Sequence, residues 1–268
     1  MKPYERLLKY IAIRTPSDEE SSTVPSSTCQ FELAQHLLRE LFTMGITDVK
    51  VDTQCYLYAH IPPTPGYEDR PRLGFIAHLD TVSEFCDRRI LAEIHEDYNG
   101  RDLPLGTSGR ILSPDMFPHL RELKGRTLIT SDGTTILGAD DKAGIAGIMT
   151  MVERILDENI PHGPVSIAFT PDEEIGMGAA HFNIEEFDAD FAYTLDGDTE
   201  GEIQYENFNA AKAEFQVTGV NVHPGSSKDV MVNASLVAME INKKWGRGTA
   251  VLTLTDQYRN MAEIIAGS

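Results

Sequence analysis

Four short segments of this sequence pair the residue types that hold metal ions and move protons. They are His78-Leu79-Asp80, Gly138-Ala139-Asp140-Asp141-Lys142, Pro171-Asp172-Glu173-Glu174 and Leu195-Asp196-Gly197-Asp198. One imidazole with several carboxylates is a donor set for zinc, manganese or cobalt, ions that promote hydrolysis. Asp80 follows His78 by two residues, on the same side of an extended chain. A carboxylate so placed can accept the second imidazole N–H and raise the ring's basicity toward a metal. The same pair reads equally as an ordinary hydrogen bond at a strand end. Asp140 and Asp141 open a helix, where acidic side chains act as caps. One aspartate satisfies that need, which leaves the other to bridge two cations. Glu173 and Glu174 repel each other unless cations neutralise them, so that one can be a ligand while its neighbour handles protons. Alone, that pair also reads as a solvated acidic turn. Asp196 adds a further hard oxygen donor.

The elements that must position these segments follow from periodicity. Leu33, Leu37, Leu38 and Leu41 recur at helical spacing, with Gly45 as a C-terminal cap. Val49, Val51 and residues 56–61 read as strands, and residues 73–79 as a strand buried on both faces. Ile145, Ile148, Met149, Val152 and Ile155 form a helical stripe after Asp141, and residues 165–170 and 191–195 read as two more buried strands. Residues 84–135 mix charge, Gly and Pro and read as a surface excursion. Strands alternating with helices predict an α/β fold with a mostly parallel central sheet. In such sheets ligands collect at the carboxyl ends of the strands, where all four segments would meet. From residue 208 the pattern changes to a half-solvated strand, an amphipathic helix over 233–245 and a strand over 249–255. The expected division is a metal-binding catalytic domain over 1–207 and a smaller α+β lid over 208–268.

Composition narrows the function classes. A formal charge of -19 argues against a nucleic-acid partner, because phosphate recognition needs a basic face. Three cysteines, Cys29, Cys55 and Cys86, lack metal-type spacing and suit reduced thiols. No stretch reaches the roughly 20 apolar residues of a membrane span, and MKPYERLLKY carries no cleavage signal. The expectation is a cytoplasmic protein with no membrane partner.

The segments FIAHLDT (75–81), TTILGADDKAGIAGIM (134–149), FTPDEEIGMGA (169–179) and TLDGD (194–198), in that order, resemble the peptidase T family of bacterial tripeptide aminopeptidases. ILSPDMFP and TLITSDGTT in the excursion are similar to that family more than to its carboxypeptidase and amidohydrolase relatives. The resemblance implies a zinc-peptidase catalytic domain and two divalent metal ions, zinc foremost. It implies that His78 and Asp196 hold one ion, that Asp140 bridges both, and that Glu174 binds the second. Asp80 would orient His78, Glu173 would be the general base, and the Asp140–Asp141 peptide bond would be cis. His223 matches a lid histidine that reaches the substrate, often across a dimer, so a homodimer through the lid is a further expectation. Asp198 is a candidate acceptor for the ammonium of a short peptide substrate, a tripeptide.

Where this sequence departs from the family, Trp245 runs almost directly into Gly246-Arg247-Gly248, so the middle of the lid is absent. The family's returning half of the catalytic domain, which brings another histidine to the second metal, is not matched within these residues, and none of the histidines here follows His223. The sequence reads as a shortened variant, a fragment, or a chain whose partner supplies the rest. The expectations are a shortened lid, an exposed sheet edge and a second cation without its usual imidazole. Two other readings stay open: a shortened metal-binding or assembly module without turnover, and a related carboxypeptidase or amidohydrolase.

Overall fold

Val165–Thr170 is buried at every position, and the main sheet is assembled around it. The computed structural model describes residues 1–197, 200–206, 213–223, 228–245, 249–256 and 261–267. The chain begins with α1 (Pro3–Tyr10), α2 (Gln30–Thr43), β1 (Val49–Val51), β2 (Leu57–Ile61) and β3 (Leu73–His78). The excursion holds β4 (Ala92–His95), β5 (Leu103–Leu105), β6 (Arg110–Leu112), a 3-10 turn (Pro118–Leu123) and β7 (Leu128–Ser131). Then follow α3 (Ala139–Asp157), β8 (Val165–Thr170), α4 (Ile184–Phe187) and β9 (Phe191–Thr194). Last come β10 (Ala213–Thr218), α5 (Ala234–Trp245), β11 (Thr249–Asp256) and β12 (Met261–Gly267). The chain divides into two units, Met1–Glu200 and Gly201–Ser268.

In the first unit the strand order is β1-β2-β8-β3-β9. Strands β3, β8 and β9 pair in parallel, while β2 runs antiparallel to both β1 and β8. Only β2 therefore opposes the rest, which makes the sheet mostly parallel. Side chains alternate across it as the pleat requires. Leu57, Ala59, Ile61, Val165, Ile167 and Phe169 enter the main core with α2 and α3. Tyr58 and Ala168 point the other way and pack with Phe187. Helix α2 buries Leu33, Leu37 and Leu41. It ends as Gly45 predicts: Gly45 adopts φ 93°, its N–H reaches the Phe42 carbonyl, and the Ile46 N–H reaches that of Leu41.

Two expectations about burial need correction. Strand β9 is exposed along its whole length, with Phe191 and Tyr193 each about half accessible, because it lies at the end of the sheet. Its neighbour β3, though paired on both sides, is only half-buried at Leu73, Phe75 and Ile76. The excursion is more ordered than its composition suggests, pairing β4 with β7 and β5 with β6. The second unit contains the antiparallel sheet β10-β12-β11, in which β12 was not expected from the sequence, and buries Ala234 and Ala238 of α5 beside Val217. No described helix is long and apolar enough to cross a membrane.

Helix α1 buries a charged side chain beside Tyr10. Arg6 is 1% exposed and donates to Glu40 (2.9 Å), Thr150 (3.1 Å) and Glu153 (3.1 Å), tying α1 to α2 and α3. Arg6→Ala would remove the buried cation that Glu40 and Glu153 share, leaving Glu153 only the N-terminal ammonium and Glu40 the Tyr10 hydroxyl, and we expect a loss of about 2 kcal/mol in urea unfolding. A loss below about 0.5 kcal/mol, the range of an ordinary surface change, would contradict this account.

Candidate metal centre

The main sheet delivers the four acidic segments to one end. His78 closes β3, Asp172-Glu173-Glu174 follow β8, and Leu195-Asp196 follow β9. Asp140 and Asp141 stand at the start of α3, after Gly138 in the left-handed conformation (φ 71°). The side chain of His78 is 2% exposed, and four carboxylates approach its imidazole. Nε2 lies 2.9 Å from Asp140 Oδ1, and 3.8 Å from both Glu173 Oε2 and Asp196 Oδ2. Nδ1 lies 3.0 Å from the Asp80 carbonyl oxygen and 3.3 Å from its carboxylate. Among the described residues, two donor groups fall within ion-sharing distance: His78 with Asp140 and Glu174, and His78 with Asp141 and Asp196.

The two aspartates at the start of α3 divide their work. Asp141 is buried; its carboxylate accepts from the Gly144 N–H (3.1 Å), which caps the helix, and from the His78 backbone N–H (3.1 Å). Asp140 keeps its side chain 68% exposed and turned to the imidazole. The Asp140–Asp141 peptide bond is cis. One residue is the cap and the other the free donor.

Asp80 has a role that its spacing from His78 did not disclose. It is fully buried, and its two carboxylate oxygens accept from the backbone N–H groups of Glu173 (2.9 Å) and Glu174 (3.1 Å). Asp80 therefore grips the glutamate pair as well as the imidazole. Nothing in the sequence marks this, because the donors are backbone groups on a different strand end.

The electrostatics fit divalent cations. Burial raises the carboxyl groups of Glu173, Glu174 and Asp196 above their usual range, and the negative charge of Asp140 adds to each rise, with His78 opposing. Burial also pushes Asp141 up to about 8. Burial alone would lower the His78 imidazole, but the Asp80 hydrogen bond and the charges of Asp80, Asp141 and Glu173 lift it to about 10. These acids crowd one another, and cations relieve such crowding more completely than protons do. One imidazole among carboxylate oxygens is also a suitable donor chemistry for zinc or manganese. A cavity of about 490 Å³ opens beside His78, Glu173 and Asp196, with Ile76, Phe182 and Ile184 on its apolar side. His223 is an exposed residue of the second unit, beyond β10. Asp198 lies outside the described residues.

Gly144 lets α3 approach the end of β9. A Cβ there would lie 2.0 Å from the Leu195 carbonyl oxygen and 2.3 Å from Asp141 Oδ1. Neither neighbour is the free end of a flexible chain, so Gly144→Ala must shift the backbone leading to Asp196. We expect the site's affinity for a divalent cation, read by zinc titration, to fall about tenfold or more. Unchanged zinc titration in that variant would show that the contact is slack.

Residues 132–254 match the family described as Peptidase family M20/M25/M40. A peptidase T from Clostridium perfringens is 41% identical, and the match covers 98% of this chain and 80% of that protein. Its alignment spans 325 positions, more than the 268 residues here, so the relative carries residues inside the matched region that this chain lacks. A peptidase T from an Exiguobacterium species is 50% identical over 91% of this chain, which spans 59% of that relative's length. Among solved structures, an aminopeptidase PepT from Bacillus cereus shares the fold with a TM-score of 0.62 at 23% identity, over 99% of this chain and 65% of that one. With a relative this similar over most of both lengths, the chain belongs to the peptidase T family of the M20/M25/M40 peptidases.

Proposed function

We propose that this chain is a metal-dependent aminopeptidase that releases the N-terminal residue of tripeptides. The observation that carries the reading is the convergence of Asp140, Glu173 and Asp196 on one buried imidazole edge. His78 and Asp196 would hold one divalent cation, Glu174 the other, and Asp140 would be shared. Zinc is the first choice, and cations bound there would supply charge neutralisation and Lewis acidity. Asp80 holds the imidazole by Nδ1 and the glutamate pair by its backbone, so that ligand and base keep a fixed separation. Glu173, half-exposed beside the cavity, would take a proton from the attacking water and return it to the departing amine. Its raised carboxyl pKa, due to burial and the nearby acids, suits both transfers. His223 is assigned to the substrate by resemblance, with the second unit as a lid.

The test is hydrolysis of free and N-acetylated tripeptides by the zinc-replete chain, with metal counted per protein. The reading expects zinc-dependent release of the first residue from the free peptide only. Zinc binding without any such release would sink it.

A further inference from the structure

We propose that Asp172, held by Gln30 and Ser26, is a positioning residue that sets the Glu173–Glu174 pair against His78. The inference rests on the peptidase reading above and adds a residue to it. Asp172 is 0% exposed and adopts φ 56°, a backbone region where side chains other than Asn and Asp are strained. Its Oδ2 accepts from the Ser26 N–H (2.7 Å), and its Oδ1 accepts from the Ser26 hydroxyl (2.5 Å) and the Gln30 amide (2.6 Å). The Asp172 N–H donates back to the Gln30 side-chain oxygen (3.3 Å), so one buried amide holds both its backbone and its carboxylate. The Asp172 carbonyl then accepts from the Met177 N–H (2.9 Å) and closes the turn that carries both glutamates.

All three donors to this carboxylate are neutral. Burying a charge among neutral donors is a poor route to stability compared with an apolar side chain of similar size. What the arrangement provides is alignment. The segment that supplies Ser26 and Gln30 is bonded at its other end to the loop after His78. Thr15 donates its hydroxyl to the Leu79 carbonyl (2.7 Å) and accepts from the Thr81 N–H (3.0 Å), and the Ser17 N–H reaches the Thr81 carbonyl (3.0 Å). Residues 15–30 thus brace the imidazole strand end against the glutamate strand end from outside, while Asp80 joins the same two from inside. Turn residues held on two sides cannot drift, and drift of about an ångström at a base or ligand costs about 10²-fold in rate.

The test uses the full chain loaded with cobalt(II) chloride, reading kcat, KM, the cobalt absorption spectrum and cobalt affinity. In Asp172→Asn an amide donor must face either Ser26 or Gln30. We expect kcat to fall about 10–100-fold, KM to stay within about twofold, and cobalt affinity to fall about tenfold with an altered spectrum. Asp172→Asn combined with Gln30→Glu reverses one donor–acceptor pair and keeps the pattern, so kcat should return to within about threefold of wild type. Wild-type kcat in the single variant overturns the proposal. So does a double variant that recovers its melting temperature but not its kcat. If Asp172→Asn does not fold, Ser26→Ala decides: a fall in kcat of about two- to fivefold is expected, and no change overturns it. A wild-type chain that binds cobalt but cuts no peptide defeats the peptidase reading alone. The cobalt spectrum of Asp172→Asn then still decides the brace: an altered spectrum supports it, and an unaltered one overturns it.

Discussion

Glu173→Gln is expected to lower kcat on a free tripeptide by about 10²–10⁴-fold, the contribution of a positioned general base. The variant isolates that role because the Glu173 backbone is anchored independently of its side chain, through its N–H to Asp80 (2.9 Å). The carboxylate is about half accessible, so an isosteric amide opens no cavity in the core. The donors assigned to the cations, His78, Asp140, Glu174 and Asp196, are untouched. Metal stoichiometry should therefore remain at the wild-type value, and KM should change little, since the lost interaction belongs to the transition state. Removing one negative charge from a crowded set should leave the metal-free melting temperature unchanged or slightly raised. Steady-state kinetics with bound zinc counted in the same preparation checks kcat, KM and stoichiometry, and a metal-free thermal melt checks the fourth expectation. Retention of kcat to within about threefold would remove Glu173 from proton transfer. A drop in bound zinc would make it a ligand instead.

How much of this arrangement could be read from the sequence depends on the distance over which each residue acts. The α/β class, the Gly45 cap and the α3 stripe follow from local periodicity, and they stand where the spacing puts them. The convergence of His78, Asp140, Glu173, Glu174 and Asp196 was legible because each lies at the carboxyl end of a strand or the start of a helix, and a mostly parallel sheet brings such ends together. Dividing Asp140 from Asp141 was not legible. Both satisfy the composition of a cap, and only the direction of the chain at Gly138 decides which one turns to the Gly144 N–H. Asp80 and Asp172 were hidden for a related reason. A carboxylate in an acidic segment reads as solvated, and both are fully buried because loops distant in sequence close over them. The exposure of β9 depends on its place at the sheet's end, which an apolar run cannot encode.

Asp140→Asn should separate catalysis from stability by moving them in opposite directions. Asp140 is the carboxylate nearest the His78 Nε2, at 2.9 Å, and its charge raises Glu173, Glu174 and Asp196 alike. In the metal-free chain, replacing it with the neutral amide relieves that repulsion. An asparagine oxygen can still accept from the imidazole. The metal-free melting temperature should therefore hold or rise, unlike the usual loss on altering a buried polar cluster. With zinc the order reverses. A ligand at about 100 times its Kd stabilises the native state by about 2.7 kcal/mol, a rise of about 5–11 °C for a domain of 150–250 residues. The variant should lose most of that rise, because an amide oxygen is a weak donor to a divalent ion. Turnover should fall by about 10³-fold, equivalent to some 4 kcal/mol of lost charge stabilisation. Thermal melts with and without zinc, beside tripeptide kinetics, provide the comparison. A variant that melts several degrees lower without metal, yet keeps the full zinc-induced rise, would mean that Asp140 serves the fold and the cations are held elsewhere.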